Sequence, residues 1–363
     1  MRRRNFLKAT GLLLAGGTAT GAGAIGLARS RNPYYSGPHS DHFDGLNFYN
    51  PGGVPPKGFA DLLKWKLGNG QKKWPAHYPS PYEDKPPVRV TGSDLRVSYV
   101  GHATVLVQTA GLNILTDPVW SNRVSPVSFA GPKRVNDPGI RFEKLPPIDA
   151  ILLSHNHYDH LDLPTLSRLK TAHDPLIITP LGNDRILNNH DGNFRIAVGD
   201  WGDRVDLSND VSIGFEPMHH WSARGLGDRR NALWAAFVVQ GPAGNIYHIG
   251  DTGFHDGINY RAAREKYGAF RLAILPFGAY EPRDFMRAQH QNPDEAVQGH
   301  RLCGAQFTLG HHWGTFQLTD ESIEDQLEAL DAARLRHNVS DELFRALRPG
   351  QAWDVPAAQP STV

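Results

Sequence analysis

The chain carries one cysteine, Cys303, in 363 residues. No internal disulfide can form, so stability has to come from a packed core and from any bound metal. Charge of one sign is missing as well: 38 Lys and Arg stand against 37 Asp and Glu, a formal net charge of +1. Even that balance is set by the N-terminus, because +1 less the four cations Arg2, Arg3, Arg4 and Lys8 leaves a body at about −3. Such a body lacks the clustered Lys and Arg on which phosphate-backbone affinity rests, which sets nucleic acid aside as a partner. There is no internal repeat at a solenoid period and no low-complexity block. Long apolar runs are absent too; residues 9–15 are too few and too Gly-rich for a membrane span. With 40% hydrophobic residues the chain can bury one large core.

What is present is concentrated. Residues 154–162 read SHNHYDHLD, which places His155, His157, Asp159 and His160 within six positions. Imidazole nitrogens and a carboxylate are the donors that a borderline ion such as zinc accepts. One ion cannot use all four from so tight a loop, so two adjacent metals are expected. The remaining ligands are sought downstream, at His220 in MHHW, Asp251 in IGDTG and His312 in HHWGTF. Each follows a β-like apolar run, and strand ends are where rigid scaffolds place site residues. Gly250 and Gly253 flank Asp251, which lets the backbone approach closely and leaves the carboxylate free to bridge.

This order of motifs resembles the metallo-β-lactamase superfamily. Within it, GHAT at 101–104, LTDP at 115–118, GPKR at 131–134, LPPIDA at 145–150, GAYEP at 278–282 and HWGTF at 312–316 are similar to the N-acyl-phosphatidylethanolamine-hydrolysing phospholipases D. The resemblance runs from about residue 47 to 335 and implies an α/β fold, a four-layer αβ/βα sandwich with metals at one edge between the sheets. Carried over residue by residue, it implies one zinc on His155, His157 and His220, a second on Asp159, His160 and His312, and Asp251 between them. Iron or manganese is admitted in place of zinc, since affinity order alone does not select the metal. A bridging hydroxide, available near neutral pH, would then cleave the phosphodiester to N-acylethanolamine and phosphatidic acid. Asp159 and Asp251 serve that chemistry, and Gln289 with His290 matches the family's pair near the substrate phosphate, a structural pair being the alternative. The resemblance also implies a homodimer with an apolar groove open to a bilayer.

Other readings stay open. A lactone hydrolase of the same superfamily shares the GHAT-like strand and the metal histidines. A non-catalytic zinc- or lipid-binding protein is a second class, against which the complete seven-ligand set argues. Asp117 in LTDP is either a carboxylate that accepts the free N–H of a ligand histidine or an ordinary turn residue before Pro118. His102, His219 and His311 are taken as structural, and His220 and His312 are preferred to their neighbours in the two doublets only because Trp follows them in the family pattern.

Organisation follows from composition. Residues 1–30 contain RRNFLK at 3–8, a modest apolar stretch and an AxA ending at Ala24, a twin-arginine export signal leading to the periplasm. An uncleaved anchor in the inner membrane is the alternative. Residues 31–90 read as a loop-rich extension around a short basic helix at 59–67, with Trp65 among Lys57, Lys64 and Lys66, either lying on an anionic lipid surface or packed on the core. The hydrolase domain is expected over 91–350 and a flexible tail over 351–363. Strands are expected at 96–100, 104–108, 112–116, 150–154, 176–179, 211–216, 232–240, 245–249, 272–276 and 306–309, and helices at 163–169 with Asp162 as N-cap, 294–302 and 320–335.

Overall fold

A computed structural model describes residues 31–358 apart from 69 and 226. The export signal expected in residues 1–30 lies outside the described residues. Among those described, no helix is long and apolar enough to cross a membrane.

The first half of the chain builds one sheet. Strands β1 (Leu95–Gly101), β2 (Thr104–Thr109) and β3 (Leu112–Thr116) form an antiparallel meander, and β4 (Ala150–Leu152), β5 (Leu176–Pro180) and β6 (Arg195–Gly199) continue it in parallel. Parallel pairing needs crossovers. Here they include α2 (Leu163–His173) and α3 (Asn183–His190), the helix α1 (Phe59–Leu67) having come earlier in the chain. Leu166, Leu169 and Leu187 bury themselves against Leu106, Leu115 and Ile151 on the outer face of this sheet.

The second half repeats the plan. Strands β7 (Arg204–Asp206), β8 (Ser212–Glu216), β9 (Ala236–Gln240) and β10 (Ile246–His248) are antiparallel, followed in parallel by β11 (Phe270–Pro276), β12 (Ala305–His311) and β13 (Phe344–Arg345). Helices α4 (Ile258–Tyr267), α5 (Arg283–Met286), α6 (Pro293–Cys303) and α7 (Ile323–His337) accompany it. Strand β14 (Ala352–Asp354) returns to the edge of the first sheet and pairs with β1. The two sheets have seven strands each. They pack face to face through Val97, Val107, Ile114, Phe215, Phe237 and Ile274, giving the α/β sandwich expected from the sequence.

Several boundaries move for identifiable reasons. The strand expected over 232–240 begins only at Ala236, because the backbone N–H groups of Leu233 and Ala235 donate to Leu181 and Ser154 in the first half of the chain rather than to a neighbouring strand. Asp162 precedes α2 but does not cap it; its carboxylate accepts from the Ser121 N–H and hydroxyl and from the Thr165 hydroxyl. The tail expected to be flexible from 351 instead supplies β14, with Trp353 and Val355 buried. Arg271 explains much of this: its buried guanidinium donates to the carbonyls of Val355 and Pro356, and also to those of Ser93 and Ala243. The segment expected as an N-terminal extension also enters the core, where Phe43 and Phe48 are fully buried beside Trp234 and Tyr247. Helix α1 occupies 59–67 as expected.

Candidate metal centre

The loop after β4 and the loops after β8, β10 and β12 meet at one edge of the sandwich, and with them come the seven residues singled out from the sequence. His155, His160 and His220 are fully buried; Asp251 and His312 are nearly so. Close approach explains the glycines beside Asp251. A Cβ at Gly250 would stand 2.9 Å from Ser154 Cβ, and one at Gly253 would stand 2.3 Å from the Ala288 carbonyl oxygen.

Hydrogen bonds on the far sides of the rings decide which nitrogens face inward. His160 donates from Nδ1 to Asp117 Oδ2 at 2.9 Å. Ser154 gives its hydroxyl proton to the same Asp117 oxygen at 2.7 Å, so its Oγ accepts from His155 Nδ1 at 2.9 Å. His220 donates from Nδ1 to the Gln289 carbonyl at 2.9 Å. His155 and His220, held neutral by burial, each leave a bare Nε2 inward, since a neutral imidazole carries one proton, whereas the surrounding carboxylates favour the protonated ring at His160. His155 Nε2 then lies 2.9 Å from His157 Nδ1, and His220 Nε2 lies 3.2 Å from that same atom. Three imidazole nitrogens thus converge closely enough to hold a metal ion.

The second group meets around Asp159 and Asp251. Asp251 Oδ2 lies 3.1 Å from His160 Nε2 and 3.0 Å from His312 Nε2, while Asp159 Oδ2 lies 3.3 Å from His312 Nε2. Asp251 Oδ1 is buried and without a protein partner. Burial opposes ionisation of Asp251 and Asp159, but the neighbouring histidines hold both carboxyls well below the usual range. Burial also opposes charge on His160 and His312; the carboxylates outweigh it, lifting His160 well above its ordinary value and His312 to about 9. His155 and His220 move the other way, held well below by burial and then by neighbouring histidines. Three buried carboxylates, Asp117, Asp159 and Asp251, thus demand positive charge at the nitrogens a metal would take. Oxygen and imidazole donors in this number fit zinc, iron or manganese.

Asp117 therefore stands as a buried carboxylate behind His160, a candidate ligand, rather than as an ordinary turn residue. His102 is a correction. Taken as structural, it reaches the centre from the turn between β1 and β2, with Nε2 2.9 Å from Asp159 Oδ2 and its ring centroid 4.0 Å from that of His312. Its carbonyl accepts from the His312 N–H at 2.8 Å, so side chain and backbone each hold one residue of the second group. Burial first, and then His312, drive His102 down to about 3. The left-handed backbone at both residues, φ 58° and 62°, shapes that contact. His219 and His311 stand outside the cluster, beside His255 and His248.

A pocket of about 480 Å³ opens above the centre. His157, Asp159, Asp251 and His290 line its floor, and Trp221, Phe285, Leu318, Leu62 and Trp65 its apolar walls. Helix α1 thus walls the site. Trp65 donates to Asp320 at 2.9 Å and packs on Phe285 with 4.9 Å between centroids. His290 Nδ1 is buried, unpartnered and 3.9 Å from Asp251 Oδ2; burial lowers this ring to about 4, so it is neutral. Gln289 Nε2 reaches the Val54 carbonyl at 3.3 Å, and its Oε1 has no protein partner.

Residues 112–313 match the Beta-lactamase superfamily domain. The chain is 38% identical over 273 residues to N-acyl-phosphatidylethanolamine-hydrolyzing phospholipase D 1 of Caenorhabditis elegans, an alignment that covers 72% of this chain and 76% of that protein. It is 26% identical over 239 residues to a UPF0173 metal-dependent hydrolase of Pyrobaculum islandicum, covering 66% of this chain and 92% of that protein. In architecture it is similar to isothiocyanate hydrolase from Delia radicum gut bacteria, with a TM-score of 0.55, 21% identity and coverage of 72% and 100%.

Proposed function

The chain belongs to the metallo-β-lactamase superfamily of hydrolases, and from that premise we propose that it is a dinuclear zinc phosphodiesterase of phospholipase D type, cleaving N-acyl-phosphatidylethanolamine to N-acylethanolamine and phosphatidic acid. The observation that carries this reading is the placement of the His and Asp donors on the floor of an apolar pocket. His155, His157 and His220 would hold one ion, Asp159, His160 and His312 the other, with Asp251 between. Bound there, the ions supply Lewis acidity and an acidified water.

The chain's own residues do the rest. Asp117 and the Gln289 carbonyl keep the outer protons on His160 and His220, so the inward nitrogens are the ones a metal would take. His290 offers an unpartnered nitrogen to a phosphoryl oxygen, and Gln289 beside it orients the headgroup. Trp221, Phe285 and Leu318 exclude water and receive acyl chain. The outer face of α1, where Leu63 is 49% and Leu67 75% exposed, meets a lipid surface beside Lys64 and Lys66.

The test is to follow products by mass spectrometry when metal-replete protein meets N-acyl-phosphatidylethanolamine in a phospholipid mixture. Matched N-acylethanolamine and phosphatidic acid are expected, and Asp251→Asn should lose turnover far more than lipid binding. No turnover at full metal occupancy would discard the lipid substrate. For the surface contact, changing Lys64, Lys66, Lys72 and Lys73 to Gln should weaken liposome co-sedimentation; unchanged co-sedimentation rejects it.

A further inference from the structure

The pocket is electrically lopsided. Its lining contains two carboxylates, Asp159 and Asp251, both at the metal centre, and two cations, Lys57 and Arg229, which are not. The Arg229 guanidinium is fixed rather than free. It lies over the Trp221 ring at 4.5 Å and donates from Nη2 to the Lys57 carbonyl at 2.5 Å, and its Nε is buried with no partner. Trp221 in turn packs edge-on against His157 with 4.6 Å between centroids, so a single indole separates this cation from a metal ligand.

Among the described residues, neither Arg229 nor Lys57 forms an ion pair with a carboxylate. Burial, and after it the neighbouring Arg230 cation, disfavour the charge on Arg229. Arg229 is partly buried with an unpartnered Nε, and a preorganised guanidinium recognises carboxylate and phosphate through its planar fork. Its counter-charge is therefore expected in the ligand.

We propose that Arg229 and Lys57 form a second anion subsite of the pocket, which takes an acidic group that the ligand carries a few bonds from the phosphodiester, such as a headgroup carboxylate. This rests on the phosphodiesterase reading and makes the preferred substrate an N-acylated phospholipid with an acidic headgroup. The apolar walls take its chains, the metal donors' edge its phosphodiester, and Arg229 its second charge.

The experiment compares N-acyl-phosphatidylethanolamine with N-acyl-phosphatidylserine of identical chains. The two lipids differ by one carboxylate. Neutral detergent micelles are used, so the only added acid is the substrate's own. Wild-type holoprotein should favour the serine lipid about tenfold in kcat/KM, the size of one charge-assisted hydrogen bond. Arg229→Met should bring that ratio close to one, and Arg229→Lys should keep part of it. A wild-type ratio near one, an unchanged ratio in Arg229→Met, or an equal loss on both lipids overturns the subsite. If neither lipid is cleaved, the reaction assignment falls by itself, and tryptophan fluorescence titration with the same lipids still decides the subsite. Tighter wild-type binding of the serine lipid, lost in Arg229→Met, supports it; equal binding overturns it.

Discussion

His160 holds Asp117 with one ring nitrogen at 2.9 Å and faces Asp251 with the other at 3.1 Å. Asp117 also fixes the Ser154 hydroxyl that in turn orients His155, so a single buried carboxylate sets the proton position of ligands on both sides of the centre. Replacing it with Asn leaves a weaker acceptor. Asp117→Asn should lower metal affinity about 10- to 100-fold. Competition with a chromogenic chelator would measure this, and wild-type affinity in the variant would remove Asp117 from the centre's support.

His102 makes a more selective prediction. Its Nε2 holds Asp159, which belongs with His160 and His312, whereas His155, His157 and His220 do not touch it. On the two-ion reading proposed above, His102→Leu should therefore weaken one metal-binding step and spare the other. His102→Gln, which keeps an amide donor near the same position, should restore part of the loss. Elemental analysis across a chelator series reads the stoichiometry; equal loss of both ions in both variants would show a general packing role instead.

The N-terminal segment is clasped by a histidine remote from the centre. His42 lies between Asp41 and Asp200, 2.7 Å from the latter, and stacks on Trp201 at 4.4 Å. Burial opposes its protonation, but the hydrogen bonds and charge of Asp200 and Asp41 prevail and raise its pKa. A raised folded-state value means that the stabilisation is complete below the unfolded value near 6.5 and is lost as pH climbs through the folded one. Wild-type melting temperature should thus decline over that alkaline window more than that of His42→Gln. Parallel pH profiles for the two proteins would count against the clasp.

The C-terminal strand should matter to stability. Trp353 is 5% exposed and pairs across β1 at Val97. Trp353→Ala should cost about 3–5 kcal/mol. Deleting residues 351–363 should cost more, since Arg271 would also lose the carbonyls of Val355 and Pro356. Urea denaturation monitored by circular dichroism tests both, and a midpoint unchanged by the deletion would contradict the role given to β14.

The metal loop was legible in the sequence because its donors crowd into six residues and the strands before His220, Asp251 and His312 are strongly apolar. His102 was not, since a turn residue joins the centre only when the two sheets close, and nothing in GHAT itself announces Asp159. Helix α4 escaped because its buried residues are few, Tyr260 and Ala263, among charged neighbours. Strands β6 and β7 lie at sheet ends and are largely exposed, which blurs the alternation that marks a strand. Three-residue β14 carries no periodicity at all; Trp353 and the carbonyls that Arg271 needs hold it in place.

The pairing of Arg96 with Asp354 joins the first strand of the sandwich to one made near the other end of the chain. During synthesis β1 and β2 can find each other early, but the outer edge of β1 must wait for almost all of the hydrolase sequence to be made. Until then that edge offers unpaired backbone N–H and C=O groups to any passing strand. So distant a contact also raises the contact order and slows the final closure. The edge of β1 is consequently a place where a half-made chain stays open to aggregation until β14 arrives.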